Sequence, residues 1–565
     1  MRFFNFDFAR NCPRLNLFIF LFSIFISFEI KSKDIFENGI LNIPKVVVEN
    51  NVYSNVKITI KEIISIKGGL PVANFDVYNP NKNELLIPEA EYLGKTYTNI
   101  KIIPNEILSV GANWKRFGYK EDNFFGIFDL TIDSELYLDN IEKDDVGFDI
   151  LAIGDVNMDG YDDILIAVYR LKTGTWDSVT RSSKPILLIY NPDINKYEVS
   201  KDFQAISSKH VWPRQATISD IDGDGRNDIF IGDHGIDGSS DNCGAKNSLI
   251  LNKSTGMVNT SDKIPQLLDY SHGLIAADFN KDGKTDLLVL NSNYKASTKC
   301  LNLNPPYTNR SYLINGSDLK ESSIKIKLED RDGEGNSVLN LLHTDRGEHL
   351  VGGSADINGD GIPDIVIGNV GFITILESES VLNYKKSQII PAPFEYTSLV
   401  NSKFNCMKDN ANLCMIPYTY INFYDVDGDG QQEIIATLSY QDATGSWMGV
   451  YFQVLKRNNN IWIDITETVF PNQNASNPIK GEWCYRTQFF DFDNDGSLDI
   501  LCSFYTSSIW TFSNNKFSKS ELIKDRVRAN VVKFPDGNYL LEFREWWQDS
   551  LDSKSKFSIK GRLIN

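Results

Sequence analysis

Apolar residues in this chain come in short runs set off by clusters of Asp, Asn and Gly. Six such runs, DILIAV, DIFIGD, DLLVLN, DIVIGN, EIIATL and DILCSF, grow out of a common motif, D-x-[DN]-x-D-G-x-x-[DE]. Each motif is preceded by another short, largely apolar stretch, such as Leu274–Ala277. Runs this brief, rich in β-branched residues and bounded by turn formers, predict strands and not helices. The motif therefore sits on a hairpin loop. Successive motifs start 65, 58, 78, 69 and 66 residues apart, a period suited to one four-stranded sheet per repeat.

A second periodicity lies upstream. LNIPKVVVENNVYSNVKI from Leu41 and LLIPEAEYLGKTYTNIKI from Leu85 repeat at an offset of 44. Each copy alternates apolar and polar positions and turns at Asn50-Asn51 or Gly94-Lys95, pairs that tolerate the positive φ of a two-residue hairpin. Residues 35–112 are expected to form a small β module. It carries no ionisable cluster, so a spacer or docking role is expected; the pattern resembles a short repeat at the head of secreted bacterial proteins. Residues 113–145 read as a linker and a ring-closing strand.

The N-terminus differs from both. Arg2, Arg10 and Arg14 precede an uncharged run of 14 residues, Leu15 to Phe28, followed by a polar stretch. It is shorter than the roughly 20 apolar residues that a membrane-crossing helix needs, so residues 1–32 are read as a secretion signal. No later run is long enough to span a bilayer, which predicts a mature chain in the periplasm, outside the cell or at its surface. Six of the seven cysteines follow the signal, an even number compatible with disulfides. Cys406 and Cys414 would close a small loop, Cys484 and Cys502 flank a candidate hairpin, and no CxxC spacing suggests zinc.

Charge then changes the picture. Apolar types are 42% and charged types 23% of the chain, ordinary for a folded protein, but 75 acids face 57 bases, a formal charge of -18. That argues against a nucleic-acid partner, since phosphate needs clustered basic side chains. The excess is local: positions 1, 3, 5 and 9 of the six motifs hold 21 carboxylates, and the other 54 acids nearly balance the bases. Oxygens at those positions, with a backbone carbonyl at position 7, converge when Gly at position 6 lets the chain turn sharply. Such a cage suits a hard cation, and its ligand number favours calcium over magnesium.

The candidate ligands are Asp155, Asn157, Asp159, Tyr161 and Asp163; Asp220, Asp222, Asp224, Arg226 and Asp228; Asp278, Asn280, Asp282, Lys284 and Asp286. The other three loops offer Asp356, Asn358, Asp360, Ile362 and Asp364; Asp425, Asp427, Asp429, Gln431 and Glu433; Asp491, Asp493, Asp495, Ser497 and Asp499. An EF-hand would need a Glu at position 12, where Ile166, Ile231, Val289, Ile367, Ala436 and Cys502 stand. Up to six calcium ions are expected, and they would bring the formal charge from -18 to -6.

These loops and their flanking strands resemble the FG-GAP, or VCBS, repeats of integrin α-subunits and many secreted bacterial proteins, over about residues 146–515. The Phe-Gly and Gly-Ala-Pro signatures are absent. The resemblance implies a calcium-binding β-propeller whose loops join the innermost strand of each blade to the next. VRANVVKFPDGNYLLEFRE from Val527 repeats the strand-turn-strand rhythm without the ligands and is read as a seventh, metal-free blade. Residues 146–565 then give 60 residues per blade, and FGIFDLTI before Asp155 supplies a closing strand. The expected fold is an all-β, seven-bladed propeller preceded by the small tandem-repeat module.

Residues just before each innermost strand should gather at one mouth of the ring. Counting back from the motifs gives Asp149, His210, Arg214, His272, His349, Tyr418, Tyr485 and Arg486; of these, Arg214, His272, His349, Tyr418, Tyr485 and Arg486 are the candidate ligand-binding set. The insertion Gly232–Asn247, with Asp233 and His234 at its root, and the stretch Ser380–Cys414 are further candidates, because loops on a rigid frame often carry specificity. No GxSxG, HExxH or Gly-rich phosphate motif occurs. The favoured reading is a non-enzymatic, monomeric binding or adhesion module for an extracellular glycan or protein. The alternative is a calcium-dependent polysaccharide lyase, in which an axial Tyr, His or Arg works on a uronate.

Overall fold

A computed structural model describes residues 35–563, apart from 68–75, 116–129, 134–143, 173–181, 236–243, 293–310, 328–350, 474–483, 493–496, 545–555 and shorter gaps. The signal, His349, Asp493, Asp495, Cys243 and Cys300 lie outside the described residues. The chain divides into two compact units, one of residues 1–126 with 533–540 and 561–565, the other of 127–532 with 541–560.

In the first unit the duplication becomes a pair of hairpins. Ile40–Val48 pairs with Asn51–Ile66, Glu84–Tyr92 pairs with Lys95–Ser109, and the two long strands pair antiparallel with each other in a seven-stranded sheet. The core repeats with the sequence: Ile43 and Ile87, Val56 and Ile100, and Ile58 and Ile102 occupy matching buried positions. Val48 pairs with Asn51, and Tyr92 with Lys95, so Asn51 and Lys95, expected within the turns, instead open the return strands.

The second unit is built of antiparallel sheets, most of four strands, each made by one sequence repeat. In the second sheet, for example, Pro213–Ser219, Asp228–Asp233, Ser248–Lys253 and Gly256–Asn259 lie in sequence order. The acidic motif joins the first strand to the second. That second strand is buried along its whole length, which is why its sequence is a continuous apolar run and not an alternating one. The fourth sheet departs from the expected four strands: Lys325–Lys327 adds to it, parallel to Asn383–Pro391. A further sheet orders Val527–Phe534, Gly537–Arg544 and Lys556–Leu563 with Leu130–Asp133, whose residues pair with Lys556–Ile559.

Burial arises between sheets. Five hydrophobic clusters are each shared by two consecutive sheets, from the first and second through to the fifth and sixth. The first strands of these six sheets pack successively side by side, and Gln488 on the sixth exchanges hydrogen bonds with the backbone of Val531 at 2.8 and 2.9 Å. Close approach is specified locally. A Cβ on Gly353 would come within 2.8 Å of Phe423, and one on Gly352 within 2.6 Å of Ile275, so this strand reads Val-Gly-Gly where its neighbours carry side chains. Among the described residues the α-helices are few and short: Lys201–Ile206, Phe394–Lys403 and Thr466–Val469. Among the described residues none is long and apolar enough to cross a membrane.

Candidate functional site

Each of the first five acidic loops is wound around its first residue. Asp220 accepts backbone N–H groups from Gly223, Asp224 and Gly225 at 2.8 to 3.1 Å, and Asp356 does the same with Gly359, Asp360 and Gly361. The turn needs left-handed backbone at position 6, and Gly225 (φ 84°) and Gly361 (φ 79°) supply it. The position-9 carboxylate is buried beneath. Asp228 accepts from Ile221 N at 2.9 Å and from Asn252 N on the third strand at 2.7 Å, so it clamps the loop to the sheet. Asp163, Asp286 and Asp364 make the equivalent bonds.

Burial, reinforced by the carboxylates at positions 1 and 5, pushes Asp163 up to about 7 and Asp228 and Asp286 up to about 6, against the backbone hydrogen bonds that lower them. Burial likewise raises Asp364 to about 6 against its hydrogen bonds, and it raises Glu433. Negative charge is thus crowded here, the condition that a bound cation relieves.

In two loops the oxygens already converge. Single carboxylate oxygens of Asp220, Asp222 and Asp228 lie within 4.8 Å of one another, as do those of Asp425, Asp427 and Glu433. These sets fit a divalent cation in donor type and number. Loops with Asn at position 3 are arranged differently: the amides of Asn157, Asn280 and Asn358 donate to the position-5 carboxylates of Asp159, Asp282 and Asp360 at 2.8 to 3.1 Å. At position 7 the N–H groups of Tyr161, Arg226, Lys284, Ile362 and Gln431 each donate to the position-5 carboxylate. That bond tightens the turn.

The opposite ends of the first strands hold a second cluster, of opposite charge. Tyr485, just before the strand Arg486–Phe490, donates its hydroxyl to the backbone oxygen of Arg214 at 3.0 Å across 271 residues of sequence. The Arg214 side chain hydrogen-bonds Tyr485 in turn, and the Arg486 guanidinium carbon lies 5.8 Å from the Tyr485 ring centre. Arg486 also acts on Tyr420, and Asp149 is the carboxylate that acts on Tyr485. Burial raises the Tyr485 pKa although both guanidinia pull it down, so its proton is held at neutral pH. Arg486 Nη2 is buried without a hydrogen-bond acceptor among the described residues.

The other sequence-derived candidates separate around this cluster. His272 is buried, its ring 5.6 Å from that of His234, and burial followed by the Arg214 charge lowers the His234 pKa well below the ordinary value. His210 is structural, placed 3.3 Å from Asp233 and 2.9 Å from Ser248 Oγ. Burial raises the Asp233 carboxyl, but bonds from His210 and from backbone N–H groups outweigh it and leave its pKa lowered. Tyr418 is fully buried in the core between the fourth and fifth sheets, hydrogen-bonded to Gln453, and does not join the set. Tyr420, two residues on, does, because the strand pairing shifts register between Tyr418 and Tyr420. Disulfides link Cys406 to Cys414 and Cys484 to Cys502, with Cα atoms 5.5 and 5.1 Å apart.

A model of FG-GAP-like repeats matches residues 220–289 and 425–502, segments that open on the two loops with convergent acids. No curated protein matches the chain in sequence. Among solved structures, a lectin from Agrocybe aegerita described as recognising non-reducing terminal N-acetylglucosamine is 13% identical, with 67% of this chain and 79% of that chain covered and a TM-score of 0.35. The V. cholerae biofilm matrix protein Bap1 is 10% identical, with 77% and 90% covered and a TM-score of 0.34. A rhamnogalacturonan lyase from Bacillus licheniformis is 11% identical, with 94% and 90% covered and a TM-score of 0.27. Likenesses this remote carry no argument about function.

Proposed function

We propose that this FG-GAP repeat protein is a secreted or cell-surface, calcium-braced binding module whose sheets close as a seven-bladed propeller, with the ligand held at the mouth opposite the acidic loops. Calcium in the loops would neutralise the rim, with Asp220, Asp222 and Asp228, and Asp425, Asp427 and Glu433, as its best-assembled ligands. Side-by-side first strands, sheet-to-sheet cores and the pairing of Leu130–Asp133 with the last strand support the ring. Two disulfides support an oxidising compartment.

The observation that carries the ligand site is the contact of Tyr485 with Arg214 across the second and sixth sheets, with Arg486 beside it. Two guanidinia with one carboxylate in an otherwise acidic protein suit an anionic group on a glycan or protein, a carboxylate or sulfate for instance. His272 borders this mouth through His234. A binding role is favoured over a lyase because burial holds the proton on the Tyr485 phenol.

Glycan-array binding in calcium, compared between the wild type and Arg486→Ala, tests this reading. Retention of acidic glycans by the wild type and at least a tenfold loss in the variant, with unchanged melting, is expected. New double-bond absorbance on incubation with uronate polymers would instead establish the lyase.

A further inference from the structure

A separate cleft lies between the fourth and fifth sheets, on neither the loop rim nor the arginine cluster. Its volume is about 1200 Å³. One wall is the helix Phe394–Lys403 with Leu413 and Cys414, the latter tied to Cys406 by a disulfide; the other is the turn Asp464–Thr468. Tyr396 and Tyr451, stacked with ring centres 4.5 Å apart, brace the helix against the fifth sheet.

The floor is already satisfied. Asp464 accepts from Thr466 N at 2.9 Å and from Gln453 Nε2 at 2.8 Å, and Asn401 is bonded to Thr397 O and Cys414 N. What is left facing outward is a different set. Glu395 and Glu467 are exposed, neither has a hydrogen bond or ion pair among the described residues, and the lining contains no Lys, Arg or His. Both carboxylates, with Asp464, act on Tyr451, whose burial and these charges push its pKa up to about 12, so the three acids share one locality.

Beside them Phe394 is 76% exposed and Leu413 46% exposed. Both side chains line the cleft. Apolar surface gathered at one place on an otherwise polar protein marks an interaction site. Unpartnered carboxylates beside an aromatic face select a cation, which gains both the ion pair and the ring.

We propose that this cleft docks a basic segment of a partner protein, an apolar side chain seating against Phe394 and Leu413 and a Lys or Arg reaching Glu395 and Glu467. The apolar rim is what favours a peptide over a sugar. The site is independent of the arginine cluster, which takes the opposite charge.

The test is selection of displayed random twelve-residue peptides on the full chain in calcium, followed by titration of a selected synthetic peptide. Enrichment of Lys or Arg next to Leu or Phe is expected. Affinity should fall at least tenfold in Glu395→Gln/Glu467→Gln and in Phe394→Ala, with melting unchanged, while Arg486→Ala binds as the wild type does. Selection without basic residues, or affinity indifferent to those substitutions, overturns the proposal. So does displacement of the peptide by cellohexaose, which would assign the cleft to neutral glycans.

Discussion

In the second and fifth loops four carboxylates share the turn with a lysine from the third strand; in the first, third and fourth, three carboxylates share it with an amide. Lys456 Nζ lies 2.5, 2.6 and 3.2 Å from Asp427, Asp429 and Glu433. Lys253 reaches Asp222 and, at 3.1 Å, Asp224. In the third and fourth loops a hydroxyl meets the position-5 acid instead, Ser317 on Asp282 and Ser378 on Asp360, the latter at 2.6 Å. Counting the ammonium, both kinds of loop carry the same net charge of about -3, close enough that one divalent cation nearly neutralises either. The extra acid of one kind is offset inside the protein, so a cation bound at either kind of loop would meet similar electrostatics.

This comparison presupposes that the rim needs a cation, and the largest expected effect tests that. With a calcium dissociation constant on the order of 10⁻⁴ M and millimolar calcium, each loop adds roughly 1.4 kcal/mol, so chelation of several loops at neutral pH should lower Tm by on the order of 10 °C. The chelated protein should also lose stability with rising pH. Asp163, Asp228, Asp286 and Asp364 have folded pKa values of about 6 to 7 against an ordinary 3.8. A raised carboxyl pKa means that the folded state binds the proton more tightly. Its stabilisation is present below pH 4 and is lost as pH rises to 7. Calcium should abolish that slope. Scanning calorimetry from pH 4 to 8, with calcium or chelator, checks both, and a chelated melt that matches the loaded one at every pH refutes them.

The next effect should be blind to the kind of loop. Asp364 accepts from Ile357, Asn358 and Ser378 N–H groups, and Asp228 from Ile221, Asp222 and Asn252. Alanine at either position leaves buried donors unmet, at a cost of about 3 kcal/mol in denaturant titrations without metal. A marked difference between the two would mean that the lysine-bearing loop is held by its ammonium and not by this clamp.

The acidic rim was legible because it repeats: the spacing of Asp and Gly fixes the turn locally, and six copies make the pattern visible. The strands were legible for the same reason, since each second strand is buried on both faces. The arginine cluster was only partly so. Arg214, Tyr485 and Arg486 meet, but their meeting depends on two sheets far apart in sequence, and Tyr418 is buried in the core. Lys253 and Lys456 left no signal, because they stand 29 residues after the acids they meet, Asp224 and Asp427, on strands whose register nothing in the motif declares. One wall of the lateral cleft lies in the stretch Ser380–Cys414 that the sequence singled out, while the turn Asp464–Thr468 opposite left no signal.

The smallest effect isolates the tethered ammonium. Burial works against the Lys456 charge, yet hydrogen bonds to Asp427, Asp429 and Glu433 outweigh it and hold its pKa above the ordinary value. Lys253 is held less firmly, its pKa lowered by burial and by Lys284 and Lys263 despite Asp220. Lys456→Met should therefore act more strongly than Lys253→Met. Without metal it leaves the fifth loop with four acids and no counter-charge, destabilising the fold by about 1 kcal/mol. With metal it removes a competing cation, so calcium should bind that loop roughly tenfold more tightly, about 1.4 kcal/mol. The two effects have opposite signs, and calorimetric titration of calcium into the variant reads the second apart from the first. If Lys456→Met instead weakens calcium binding, the lysine orders the acids for the ion and does not stand in its place, and the equivalence drawn between the two kinds of loop fails.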